Sequence, residues 1–174
     1  MVKKGRIVVL RLGHRPARDK RITTHVGLVA RCFGADGLVL TVDDRTVIES
    51  MQDVCERWGG SFFVDVVSDW RSYMKGWKGV VVHLTMYGLP LDDTIDEIRE
   101  AAGDVLLVVG AEKVPPDVYR LATYNVSVGS QPHSEVAAVA LFLDRYFKGE
   151  ELKRDFNGRT RVIPSKEGKK AVIG

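Results

Sequence analysis

The alternation of short β-branched runs with helix-like stretches constrains this chain more than any other feature. Strand-like runs at 6–12, 37–42, 61–66, 79–84, 104–109 and 124–128 alternate with segments of helical spacing at 22–33, 46–58, 92–102 and 134–147. Parallel neighbours need long crossovers, usually helices, so this order predicts an α/β fold with a mainly parallel sheet and helices on both faces. Ile95, Ile98 and Ala102 form one apolar stripe, with Asp92 placed to cap that helix. Residues 134–147 are apolar nearly all the way round, through Val136, Val139, Leu141, Phe142, Leu143 and Phe147, which predicts burial on several sides.

A chain of 174 residues with 45% hydrophobic content suits one domain with a real core. No apolar run approaches the roughly 18 residues of a membrane span, and the strand-like run after the basic start is too short for a signal segment, so a cytoplasmic location is expected. Cys32 and Cys55 have neither CxxC spacing nor paired histidines nearby; both read as ordinary buried residues, with no metal and no disulfide framework. After Gly149 the pattern changes. Residues 152–156 and 159–163 flank Asn157-Gly158, a dipeptide suited to a type I′ turn, so a β-hairpin and basic tail at 150–174 is expected beside a main domain at 1–149. Lys153, Arg154, Arg159 and Arg161 suit phosphate binding and suit protection of an exposed ribbon edge equally well.

Three segments join strand ends to polar or glycine-bearing loops, where open α/β sheets place their ligands. The first, RLGHRPARDKRITTH (11–25), brings Arg15, Arg18 and Arg21 beside a helix start, a setting that favours phosphate. The second, VVGAEKVP (108–115), puts Gly110 directly after an apolar strand, permitting close ligand approach. The third, VSVGSQPHSE (126–135), runs through a polar turn into the apolar helix, with Ser134 suited to N-cap it. GxxxxGK[ST] and GxGxxG are both absent, which disfavours Walker-type and dinucleotide readings. His83 ends an apolar strand and reads as a core residue, while His14, His25 and His133 fall in the loop segments; Trp58, Trp70 and Trp77 read as packing residues.

These segments, in this order, resemble the motifs of the SPOUT superfamily of RNA methyltransferases, and more narrowly its archaeal tRNA 2′-O-methylating members, through RLGHRPARDKRITTHVGLVARCFGA, VVGAEKVP and VGSQPHSEVAAVALFLDRYF. The resemblance implies a C-terminal deep trefoil knot and S-adenosylmethionine as cofactor. It implies a cofactor site at Leu84, at Gly110, Ala111, Glu112, Lys113 and Val114, and at Val128, Gly129, Ser130, Gln131, Pro132, His133, Ser134 and Glu135. It further implies a tRNA substrate, methylated at a T-loop cytidine ribose, and a homodimer to which helix 134–147 offers a face. Gly110-Ala111-Glu112 aligns with the glycine-small-glutamate motif of the ribose-methylating branch, and Ser130 and Ser134 with its two serines. Pro132 stands where that branch has asparagine, and Leu28 stands where it has the catalytic arginine.

The missing arginine must be replaced from elsewhere, and Arg18 or Arg21, with Arg15 beside them, are the candidates to bind the adjacent phosphate and stabilise the developing alkoxide. Glu112 and Ser130 would then position the ribose or its base. Two other readings compete: an RNA-binding module that kept the fold without turnover, and an unrelated α/β enzyme acting on a phosphorylated nucleotide.

Overall fold

A computed structural model describes residues 5–101, 103–111 and 113–174. Six strands form one sheet: β1 (Ile7–Arg11), β2 (Gly37–Leu40), β3 (Phe63–Val66), β4 (Gly79–Pro90), β5 (Asp104–Val109) and β6 (Tyr124–Ser127). Their order is β3-β2-β1-β5-β4-β6, and every neighbouring pair is parallel. The chain winds outward from β1 through β2 to β3, then crosses to build the other half, so winding reverses between β1 and β5.

The strands alternate cleanly between two cores. Ile7 and Val9, with Val105, Leu107 and Val109, face α1 (Lys20–Cys32), α2 (Arg45–Trp58), α4 (Leu91–Glu100) and α6 (Glu135–Phe147). Val8 and Leu10, with Leu106 and Val108, face the short helices α3 (Trp70–Gly76) and α5 (Pro116–Leu121). Burial on both faces explains why β1 and β5 read as continuous apolar runs. The expected α/β class and parallel sheet are observed.

Several expectations change. Helices α3 and α5 lacked a sequence signal because each offers a single apolar turn; α3 starts where Asp69 accepts the Ser72 N–H at 3.0 Å. Pro90, not Asp92, is the N-cap of α4; Asp92 lies in the first turn, beside the helix dipole and paired with Arg145. Ala102 of the proposed stripe lies outside the described residues, while Ile95 and Ile98 are buried. Cys32 is exposed and Cys55 half-buried, because both sit off the core-facing sides of their helices.

No hairpin forms about Asn157-Gly158. Residues Glu150–Lys153 make a 3₁₀ turn, and the antiparallel ribbon pairs β7 (Thr160–Val162) with β8 (Ala171–Ile173). Asn157, at φ 53°, bridges to Gly59 instead. A Cβ on Gly158 would stand 2.2 Å from the Trp58 carbonyl carbon, so this glycine serves close passage over the end of α2.

Candidate active site

Because all six strands run the same way, their C-terminal ends share one edge, where residues 83–87 of β4 and the loops after β5 and β6 line a cavity of about 580 Å³. That lies within the roughly 300–1,000 Å³ of small-molecule sites. Of the expected cofactor residues, Leu84, Gly110, Ala111, Lys113, Val114, Val128, Pro132, His133 and Glu135 line it. A Cβ on Gly110 would stand 2.0 Å from Val114 Cγ1, so the loop folds back closely onto itself and any larger residue would displace the Val114 side chain. Gly129 and Ser130 line a neighbouring cavity of about 360 Å³, with Leu141 and Arg145 of α6. Gln131 and Ser134 line neither; Ser134 Oγ accepts the Val136 N–H at 3.2 Å and caps α6, as its sequence position suggests. Glu112 lies outside the described residues.

The sequence did not point to Thr85, Met86, Tyr87 and Tyr119, which also line the larger cavity. Their signal is slight: TMYG follows an apolar strand directly. Beneath them the buried His83 contacts Asn125 Oδ1 through Nδ1 at 2.9 Å, and Asn125 Nδ2 donates to the Tyr119 carbonyl. That second bond makes Oδ1 the acceptor and fixes the imidazole proton on Nδ1. Burial lowers the His83 pKa against the opposing Asn125 bond, so the ring is neutral at pH 7. Its edge-on contact with Tyr119 at 4.8 Å makes it the core residue expected.

The loop after β1 is held by a buried polar chain. Arg11, 1% exposed, reaches Glu135 with Nη2 at 2.9 Å and Thr23 Oγ1 with Nε at 3.5 Å. His14 stands between Thr23 Oγ1, 2.7 Å from Nδ1, and Asp44 Oδ2, 2.9 Å from Nε2. An Nε2–H tautomer satisfies both contacts: the ring donates to Asp44, and the Thr23 hydroxyl donates to Nδ1 while accepting from Arg11. Asp44 also caps α2, accepting from the Thr46 and Val47 N–H groups. Burial pushes its carboxyl up, but the His14 bond and these backbone donors outweigh it and leave the pKa lowered. Burial also lowers the Arg11 pKa, with Glu135 and Asp19 opposing. Thus the end of β1, the start of α2 and the cavity residue Glu135 are mechanically joined.

Asp19 completes the loop. Its carboxylate accepts from Arg18 Nε at 3.0 Å, the Arg15 N–H at 3.0 Å and Arg15 Nε at 3.4 Å. The Arg18 bond leads in bringing its pKa to about 2, over opposition from burial. Arg15 lines a further cavity of about 380 Å³ with Gly13, His14, Thr41 and Val42. This cavity lies over the β1/β5 reversal of winding and shares Ala111 and Lys113 with the larger one. Arg18 and Arg21 are exposed on the surface and line none of these cavities. His25 is exposed on α1. Among the described residues, no three His, Cys, Asp or Glu side chains converge as a metal site.

Solved structures share this arrangement. An RNA 2′-O ribose methyltransferase matches at TM-score 0.61 and 15% identity, over 83% of this chain and 57% of its own. The SpoU methyltransferase AviRb from Streptomyces viridochromogenes, solved in complex with AdoMet, matches at TM-score 0.57 and 17% identity, over 86% and 62%. The fold is therefore that of the SpoU-type methyltransferases. The model of the family described as tRNA ribose 2′-O-methyltransferase, aTrm56, matches residues 58–172. The tRNA (cytidine(56)-2′-O)-methyltransferase of Methanothrix thermoacetophila is 60% identical, over 94% of this chain and 95% of its own, and that of Pyrococcus abyssi is 57% identical, over 95% and 87%. The chain belongs to this tRNA ribose 2′-O-methyltransferase family.

Proposed function

We propose that the protein transfers a methyl group from S-adenosylmethionine to the 2′-hydroxyl of the T-loop cytidine at position 56 of tRNA, the nucleotide named for its relatives. The observation that carries the reaction is the pair of adjoining cavities at one sheet edge: one walled on one side by Leu84, Val109, Val114, Val128 and Ala138, which suits a nucleoside, the other bearing Arg15, which suits an RNA strand, with Ala111 and Lys113 lining both. The apolar walls Leu84, Val109, Val114, Val128 and Ala138, with the close Gly110 turn, fit an adenosyl group. Bound there, S-adenosylmethionine supplies an electrophilic methyl carried on a sulfonium.

This chain's residues must hold the ribose in line and deal with its proton. Arg15 is placed to bind the adjacent phosphate and lower the cost of the developing alkoxide within its own subunit. Arg18 and Arg21, outside the cavities, would reach a site only across a homodimer, and Leu141 of α6 and Leu89 of β4 offer it an exposed apolar face. Glu112 and Ser130 are assigned to positioning the nucleotide. We further propose that the chain from 128 onward passes through the loop after β5 as a deep trefoil knot. Support comes from the pairing of β6 outside β4 while α6 returns to pack on α1. Mechanical unfolding from both ends would then yield a contour shorter than that of 174 extended residues. Residues 150–174 are assigned as an appendage to the 1–149 domain, and the cytosol as the place of action.

The test is methyl transfer from labelled S-adenosylmethionine to unmodified tRNA transcripts, with Arg15→Ala, Arg18→Ala and Arg21→Ala in parallel. Label in the T loop, with one arginine variant losing at least 100-fold in kcat, supports the reading. Binding of cofactor and tRNA without transfer would make the protein an RNA-binding module instead.

A further inference from the structure

We infer that Tyr87 is a stacking platform for an unpaired base of the RNA strand that carries the target nucleotide. The inference rests on the RNA methyltransferase reading above. Along β4, Leu84 and Leu89 both lie opposite Val126 of β6, so residues 85–88 are extruded from the ladder. An extrusion sacrifices ladder hydrogen bonds and re-aims side chains, and beside a site it is commonly a functional device. Here it is built firmly. The Thr85 and Tyr119 hydroxyls meet at 2.9 Å, the Tyr87 N–H donates to Thr85 Oγ1 at 3.3 Å, and Gly88 passes so close to β6 that a Cβ would stand 2.5 Å from the Val126 nitrogen.

What this scaffold presents is an aromatic ring 79% exposed on the rim of the larger cavity. A ring at that exposure contributes little to the core, so its rigid mounting calls for an external partner. Lys113 and His133 on the same rim are also exposed, and the Glu135 carboxylate that lines the cavity is paired with Arg11, which leaves Lys113 to meet a polyanion. RNA loops are recognised by stacking their unpaired bases on aromatic side chains, and every base offers a face for it. Two other occupants fit less well. A ring enclosing the cofactor's adenine would be covered by cavity walls. A subunit contact belongs to the other side of the extrusion, where Gly88 borders the cavity shared with Leu141 and Arg145.

Full-length Tyr87→Phe, Tyr87→Leu and Tyr87→Ala proteins should be assayed on tRNA transcripts, after the wild-type protein has methylated the T-loop cytidine; failure at that first step rejects the parent reading, not this one. Loss of one base–aromatic stack predicts a rise in KM for tRNA of roughly 5- to 150-fold in the Ala variant. Tyr87→Leu should rise comparably, Tyr87→Phe should stay within about twofold, and KM for S-adenosylmethionine should not move. An unchanged KM for tRNA overturns the inference. So does a rise confined to the cofactor's KM, which would assign the ring to adenine, or a loss of sedimentation mass in Tyr87→Ala, which would assign it to a subunit contact.

Discussion

Two loops leave the same sheet edge and are built in opposite ways. The one after β1 is held from beneath by Arg11, Thr23, His14, Asp44 and Asp19, all buried. The one after β6 exposes Gly129, Ser130, Gln131, Pro132 and His133, and its side-chain bonds are local: Ser127 with the Gly129 backbone, His133 with the Gln131 carbonyl. A buried network bonded at nearly every member fixes a loop before any ligand arrives, whereas an exposed loop must gain its order from what it binds. On the assignment proposed above, the loop given to RNA is the preformed one, and the loop given to the cofactor is the one left to order on binding. Glu135 joins the two, lining the larger cavity while pairing with Arg11.

Glu135→Ala should break this comparison most severely. It leaves the buried Arg11 guanidinium without its ion-pair partner, and Arg11 Nη1 already has no hydrogen-bond partner among the described residues. Removing one member of a buried pair costs about 3–5 kcal/mol, which urea unfolding would register. Next, His14→Ala should cost about 2 kcal/mol by leaving Thr23 and the buried Asp44 underbonded. Acid should act on the same loop. The Asp19 pKa is depressed, so its contribution is present above the ordinary carboxylate range and is lost as pH falls towards about 2. Protease cleavage within 12–19 should therefore appear only at the acid end of a pH 5 to pH 2 series.

Elsewhere the sign reverses. Glu151 is buried, and burial raises its pKa against its own backbone N–H bond, with Asp144 and Glu150 adding to the rise. A raised carboxylate destabilises the fold above its unfolded pKa and ceases to do so as acid protonates it. Glu151→Gln should accordingly gain about 1 kcal/mol at pH 8, roughly 2–4 °C in Tm, and show no gain at pH 4. The smallest effect is expected at Gln131→Ala, within about 0.5 kcal/mol of wild type. In the same loop, amide exchange should slow when S-adenosylhomocysteine binds; equal protection of the 12–19 and 128–134 loops without ligand would erase the contrast.

The strands and long helices were legible because each carries its own period: β-branched runs for β1 and β5, helical spacing for α1 and an apolar stripe for α4. The candidate loops at the sheet edge were legible at Gly110 and at 128–135, where glycine and a capping serine punctuate apolar elements. What escaped depends on distant partners. Asn157-Gly158 carries a turn signal that Gly59, far away in sequence, redirects into a tertiary contact. His14 acquires its role only from Asp44, on another helix. The extrusion at 85–88 arises from β6 pairing twice through Val126, which no local pattern within β4 encodes.

The central claim is that a tRNA ribose hydroxyl at the T-loop cytidine is the methyl acceptor. Its most direct test is mass-spectrometric mapping of nuclease fragments from two transcripts treated with protein and S-adenosylmethionine, one natural and one carrying a single 2′-deoxycytidine at that position. The account predicts one added methyl on the T-loop fragment of the first and none on the second. A methyl retained on the deoxy transcript, or mapped to another fragment, would contradict it.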